Sequence, residues 1–201
     1  MSQVQFSEEI NDILCELFNT GIGHAANAMS ELLQQEILLS IPQLHTLMFN
    51  ELKLELSSLF SDKYVVVLQE FSGELKGTGL VTFPVNKGKT LVNLLMDDIN
   101  YEGVFDVLEL EAISEVGNLI INAVAGIISD MSGIETHYEL PKVFITSNIL
   151  DCFKDKNPTS VFLIGRIQFS VKDQNIQGQI FFIYEYNNIE LIVKRIEEKN
   201  K

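Results

Sequence analysis

Two short motifs, Glu16-Leu17-Phe18-Asn19 and Glu115-Val116-Gly117-Asn118, occur 99 residues apart in this chain. The same offset, without any insertion, relates six further pairs of identical residues: Ala26 and Ala125, Ser30 and Ser129, Glu36 and Glu135, Pro42 and Pro141, Gly79 and Gly178, and Phe83 and Phe182. A register kept over so long a stretch indicates duplication of one structural unit, although the period far exceeds that of a solenoid repeat. We therefore predict a single domain over residues 1–201, made of two repeats, 1–102 and 103–201, packed about a pseudo-two-fold axis.

Each motif lies in a long segment whose apolar residues recur with the period of a helix. Ser7 and the acids after it are typical of a helix start, and a second segment of this kind begins near Val107. Because residues three apart share one face of a helix, each Glu lies beside its Asn. The polar faces are predicted to be exposed: Asp12, Glu16, Asn19, Gly23, Ala26 and Asn27 on the first helix, and Glu111, Glu115, Asn118, Asn122 and Ala125 on the second.

Strand-like segments follow each long helix. They are 36–41, 52–56, 64–71 and 74–83 in the first half, and 134–140, 141–147, 160–171 and 175–184 in the second. Two shorter helices are predicted, one capped by Asn86 and one over 188–197. Since the strand connections are short, the sheet must be largely antiparallel. The predicted fold class is therefore α/β of the α+β type, with two long exposed helices on that sheet plus two shorter helices.

Charge and apolar pattern restrict what this chain can bind. The formal net charge is −14, and an acidic surface repels nucleic acid and anionic membranes, which are bound by clustered Lys and Arg. No signal peptide is expected, and the most apolar stretch, 119–128, is about half the length that crosses a bilayer. We therefore expect a cytoplasmic protein that binds neither nucleic acid nor membrane, with Cys15 and Cys152 as free thiols.

Other kinds of site have weaker support. The run from Gly21 to Ala26 fits the spacing of a dinucleotide fingerprint, but that motif requires a preceding strand, and here a helix precedes it. The three histidines have no spacing typical of metal ligands, so no metal or cofactor of the protein's own is predicted. Acids four residues apart on one helix are usually solvated charges. The recurrence of the Glu-Asn pair is different, because core packing does not explain an exposed pair kept on both helices.

The motif resembles the signature of the CheC/CheX/FliY family of response-regulator phosphatases, Asp/Ser-x3-Glu-x2-Asn-x22-Pro. Asp12, Glu16, Asn19 and Pro42 match it at every position. The second copy also matches at Glu, Asn and Pro, but Glu111 stands where the family has Asp or Ser. The resemblance covers nearly the whole chain, and two copies in one chain are similar to the duplicated CheC type of the family.

The resemblance implies a substrate and a mechanism. The substrate would be a phosphorylated receiver such as CheY, whose aspartyl phosphate lies beside the receiver's own Mg²⁺. Asn19 and Asn118 would orient the attacking water, and Glu16 and Glu115 would pair with a receiver lysine. The other exposed residues on the two motif faces would contact this partner. Phe18 replaces the glycine usual in the family, and we expect it to narrow the surface beside Glu16 and to make the two sites unequal.

Two further expectations concern partners and assembly. Family members of this type pair with CheD, a receptor-modifying deamidase, so the alternative function is a non-catalytic binding module for a receiver or for CheD. The protein is predicted to be a monomer, because its two halves supply within one chain a symmetry that single-copy relatives reach by dimerising.

Overall fold

The computed structural model describes residues 7–59, 62–96, 104–153 and 161–199. In chain order the elements are α1 (Glu8–Leu33), β1 (Ile37–Leu39), β2 (Gln43–Met48), α2 (Phe49–Leu59), β3 (Tyr64–Gly73), β4 (Gly77–Pro84), α3 (Val85–Met96), α4 (Val107–Ser132), β5 (Thr136–Tyr138), β6 (Lys142–Thr146), a 3₁₀ helix (Ile149–Phe153), β7 (Val161–Val171), β8 (Ile176–Glu185) and α5 (Tyr186–Lys199). The predicted boundary between the halves, at 102 and 103, lies outside these ranges. The side chain of Cys152 also lies outside the described part of the structure, so the free thiol expected there stays a prediction. Cys15 is a free thiol.

All eight strands that the structure describes belong to one antiparallel sheet, as the short connections predict. The strand order is β1-β7-β8-β4-β3-β5, with β2 also paired to β7 and β6 also paired to β3. The short strands of each half therefore pair with a long strand of the other half. Ile37 of β1 lies opposite Val171, for example, and Phe71 of β3 lies opposite Tyr138. Each half completes the sheet of the other.

The two faces of the sheet carry separate apolar cores, because successive residues of a strand point to opposite sides. Val65, Val67 and Phe71 of β3 belong to the larger core, which also contains the buried residues of α1 and α4. Val66 and Leu68 belong to the smaller core on the other face, which α2 and the 3₁₀ helix cover. We call the side with α1 and α4 the helix face.

The strand predicted over 52–56 is wrong, because this segment is the middle of α2. Leu52, Leu54 and Leu56 alternate as in a strand, but Phe49, Leu52 and Leu56 have helical spacing and are the residues that pack into the core. Leu54 is 74% exposed. The described residues thus contain three shorter α-helices rather than two, and β2 was also not predicted.

The ends of the two long helices explain some of the repeated residues. Ser7 and Asp106 are the N-caps, and each side chain accepts a hydrogen bond from the backbone N–H three residues later. At the other end, the Ser30 hydroxyl donates to the Gln35 carbonyl, and the Ser129 hydroxyl donates to the Ile134 carbonyl. The repeated serines therefore terminate helices and are not part of a binding face.

The length and composition of α4 would allow it to cross a membrane, and it is the one such helix among the described residues. Its inward face, however, contributes Ile113, Val116, Ile120 and Val124 to the larger core. A central core helix of a folded domain has this composition.

Candidate functional site: two Glu-Asn pairs on a helix pair

Helices α1 and α4 pack directly against each other and run in opposite directions. At the crossing, a Cβ atom added to Gly21 would lie 3.0 Å from the Cα atom of Val124. Further along, Ala28 and Leu32 of α1 line the same groove as Glu115 and Asn118 of α4. The groove has a volume of about 740 Å³. The two Glu-Asn motifs therefore lie on opposite sides of the helix crossing.

Most of the predicted face residues are at the surface. Asp12, Glu16, Asn19, Gly23, Asn27, Glu111 and Glu115 are exposed, and Ala26, Asn118 and Asn122 are half-buried. The surface position predicted for Ala125 is wrong, because this residue is 0% exposed and belongs to the larger core. It follows Val124, which lies at the crossing that α1 covers.

The expectation that Phe18 narrows the surface beside Glu16 is also wrong. Its ring is buried, packs edge-on against Phe182 at a centroid distance of 5.8 Å, and lies over Gly165 of β7. The corresponding residue of α4, Gly117, lies over Val67 of β3. Beneath α1, a large helix residue thus contacts a glycine of the strand. Beneath α4, a helix glycine contacts a larger strand residue.

The first motif presents free polar groups. Glu16 and Asn19 are exposed, and neither side chain has a hydrogen bond or ion pair to any residue that the structure describes. A Cβ atom added to Gly23, one turn further along, would meet nothing within 4 Å. A partner can therefore approach the helix backbone closely beside Asn19.

The second motif is connected to a hydrogen-bond network. The Asn118 Oδ1 atom accepts one hydrogen bond from Asn122 Nδ2 at 2.9 Å and another from Gln69 Nε2 at 3.3 Å. Gln69 Nε2 also donates to the backbone carbonyl of Glu139 at 3.0 Å. Gln69 was not singled out from the sequence. A glutamine that follows the apolar run from Val65 is nevertheless a signal, since buried polar side chains need partners.

The arrangement offers carboxylate and carboxamide groups to a ligand but no evident metal site. No cluster of three or more metal-ligating side chains occurs among the residues that the structure describes. Glu115 likewise has no ion pair within residues 7–59, 62–96, 104–153 and 161–199. The two acids are thus available to a cationic group of a partner.

Comparison with known proteins places this fold. A scan against protein-family models finds no match. The CheY-P phosphatase CheC of Bacillus subtilis (strain 168) is 28% identical over 142 residues, which cover 68% of this chain and 66% of that protein. Thermotoga maritima FliY has the same fold, with a TM-score of 0.75 at 20% identity, covering 96% of this chain and 98% of that chain. The chain is similar to members of the CheC/CheX/FliY family and has their fold.

A second solved structure with this fold contains CheX together with CheY. It is a CheX-CheY-BeF3-Mg²⁺ complex from Borrelia burgdorferi, with a TM-score of 0.54 at 18% identity, covering 84% of this chain and 96% of that chain. These similarities confirm the predicted CheC/CheX-like fold.

Proposed function

We propose that this protein is a phosphatase that hydrolyses the aspartyl phosphate of a response-regulator receiver such as CheY. In the reaction, the oxygen of a water molecule bonds to phosphorus while the bond between phosphorus and the aspartate oxygen breaks. The products are inorganic phosphate and the free carboxylate of the receiver. Such a transfer needs positioning and charge stabilisation rather than covalent chemistry from the phosphatase. We place the reaction in the cytoplasm.

Asn19 and Asn118 are the residues we assign to the water. A water in line with the breaking bond directs a lone pair at phosphorus, so its hydrogens need acceptors on the far side. A carboxamide oxygen accepts such a hydrogen, and a neutral amide does not repel the phosphoryl oxygens. The receiver's own Mg²⁺, the metal in the CheX-CheY complex, would stabilise the developing charge.

Glu16 and Glu115 are assigned to docking. Each is exposed and lies one helical turn before its Asn. A carboxylate at this place pairs with a lysine of the receiver and so fixes the distance between the amide and the phosphoryl group. The observation that carries the proposal is the exposed Glu16-Asn19 pair, whose side chains have no partner among the described residues. The name of the curated relative, a CheY-P phosphatase, supports it.

The test is the decay of a phosphorylated CheY-type receiver with catalytic quantities of the protein. We expect Asn19→Ala with Asn118→Ala to abolish the acceleration while binding of the beryllofluoride-loaded receiver is kept. Glu16→Ala with Glu115→Ala should weaken both. Asn11→Ala, an exposed asparagine on α1 outside the motif, is the matched control and should leave the decay unchanged.

Two outcomes would contradict the proposal. Full activity in the double asparagine variant would remove the water-orienting role. Binding of the beryllofluoride-loaded receiver without any acceleration by the wild-type protein would favour the alternative, a non-catalytic binding module. The same binding assay with a CheD deamidase tests the second partner of that alternative.

A further inference from the structure

The second motif differs from the first in one chemical respect, the state of its carboxamide oxygen. A carbonyl oxygen has two lone pairs, and in Asn118 they accept the hydrogen bonds from Gln69 and Asn122. The oxygen of Asn19 has no partner among the described residues. If orienting the water requires this oxygen as an acceptor, the oxygen is available in the first site and already hydrogen-bonded in the second.

The orientation of the Asn118 amide is fixed from the sheet outward. The Glu139 backbone carbonyl can only accept, so it requires the nitrogen of the Gln69 amide on its side. The same nitrogen faces Asn118, which must therefore present its oxygen. That oxygen in turn requires the nitrogen of Asn122. Gln69 is 2% exposed and cannot turn to solvent, so the Asn118 nitrogen is the atom left for a ligand.

Both hydrogen-bond donors are missing beside the first motif. Gly23 stands 99 residues before Asn122 and has no side chain to donate. In the structure, the position of Gln69 corresponds to Ile167. Val67 lies beneath Gly117 as Gly165 lies beneath Phe18. Gln69 and Ile167 are the next residues on the helix face, two positions after Val67 and Gly165. An isoleucine cannot donate.

We propose that Gln69 and Asn122 are positioning residues that restrain the second site by occupying the Asn118 oxygen, so that the first site carries most of the turnover. The inference rests on the proposed function. Before Asn118 can accept a hydrogen from the attacking water, one of the two hydrogen bonds must be released. Removing one donor removes this requirement, whereas adding a donor beside Asn19 introduces it.

The experiment isolates each site and exchanges the residue that differs. In an Asn19→Ala background, where only the second site remains, Asn122→Ala should raise kcat about two- to tenfold, the equivalent of one hydrogen bond. KM should stay unchanged because Glu115 is intact. In an Asn118→Ala background, Gly23→Asn should lower kcat. Asn50→Ala, an exposed asparagine on α2, is the control in both backgrounds.

Readouts on the free protein separate this effect from a loss of folding. The side-chain amide signals of Asn118 in a ¹H–¹⁵N NMR spectrum should shift in Asn122→Ala and in Gln69→Met, and not in Asn50→Ala. An unchanged or lower kcat in Asn19→Ala with Asn122→Ala, in a wild-type protein that is active, would overturn the inference and leave the proposed function intact. A wild-type protein that does not accelerate receiver decay would overturn both.

Discussion

Gly117 and Phe18 occupy corresponding places on α4 and α1, and they fill the space above the sheet in opposite ways. Above Val67 there is no room for a side chain, since a Cβ atom on Gly117 would lie 2.5 Å from the Val67 Cβ atom. Above Gly165 the Phe18 ring fills the space. Each helix residue is thus matched to the strand residue beneath it, so neither can be changed alone.

This match predicts opposite effects for two glycines of the same helix. Gly117→Ala should destabilise the protein by about 1–3 kcal/mol, because overpacking against Val67 exceeds the gain in helix propensity. Gly126→Ala should stabilise it by up to about 1 kcal/mol, since a Cβ atom there would meet nothing within 4 Å. Urea unfolding of the two variants measures both, and equal stabilisation by the two would contradict the packing argument.

At this scale the sequence predicted the motif residues better than their surroundings. Spacing alone placed Glu16, Asn19 and Glu115 at the surface, because exposure of a helix face follows from its period. The helical period of α4 alone does not show where α1 packs against it, and for that reason Ala125 was placed outside the core. The size match between Phe18 and Gly165 is a long-range contact that the period of a single helix does not reveal.

At the scale of elements, the two long helices end in the same backbone conformation with different residues. The residue after α1 is Gln34, with φ of 50°, and the residue after α4 is Gly133, with φ of 67°. A side chain is strained in this left-handed region and glycine is not. The first helix therefore ends less favourably than the second.

Substituting the residue that follows each long helix should change the stability of the protein in opposite directions. Gln34→Gly should stabilise the protein by about 1 kcal/mol, less the contribution of the hydrogen bond from Gln34 to the Glu31 carbonyl. Gly133→Ala should destabilise it by about 1–2 kcal/mol. Thermal unfolding followed by circular dichroism provides the comparison. A loss of stability in Gln34→Gly would mean that the side-chain hydrogen bond outweighs the backbone strain.

Elements with one clear period were predictable, and α2 was not. Both long helices and the strands from Tyr64 and Val161 were predicted within one or two residues at their start, because their apolar patterns allow one interpretation. In α2, Leu54 fits a strand as well as Leu52 and Leu56 do. Only the second core on the far face of the sheet decides which of them is buried.

For the whole molecule, the exchange of short strands between the halves determines how the chain should unfold. We expect one cooperative transition for the full chain, because neither β3 nor β7 is flanked on both sides by strands of its own half. A fragment of residues 1–102 should be unfolded or self-associated, and the full chain of 22.7 kDa should be a monomer. Circular dichroism tests whether the fragment is folded, and light scattering tests the association state of the fragment and of the full chain. A fragment that is both folded and monomeric would contradict the dependence of each half on the other.

The organisation as two repeats stays a prediction.

The occupied oxygen of Asn118 and the free oxygen of Asn19 illustrate what one polypeptide permits and a symmetric pair of identical chains does not. In a homodimer every substitution appears at both sites, so Gly23 and Asn122 could not differ. Encoding both halves in a single gene lets one motif-bearing surface change while the other is preserved. Under the proposed function, such a molecule would hold one fast and one slow catalytic centre, and the ratio of their rates would determine how long the receiver stays phosphorylated.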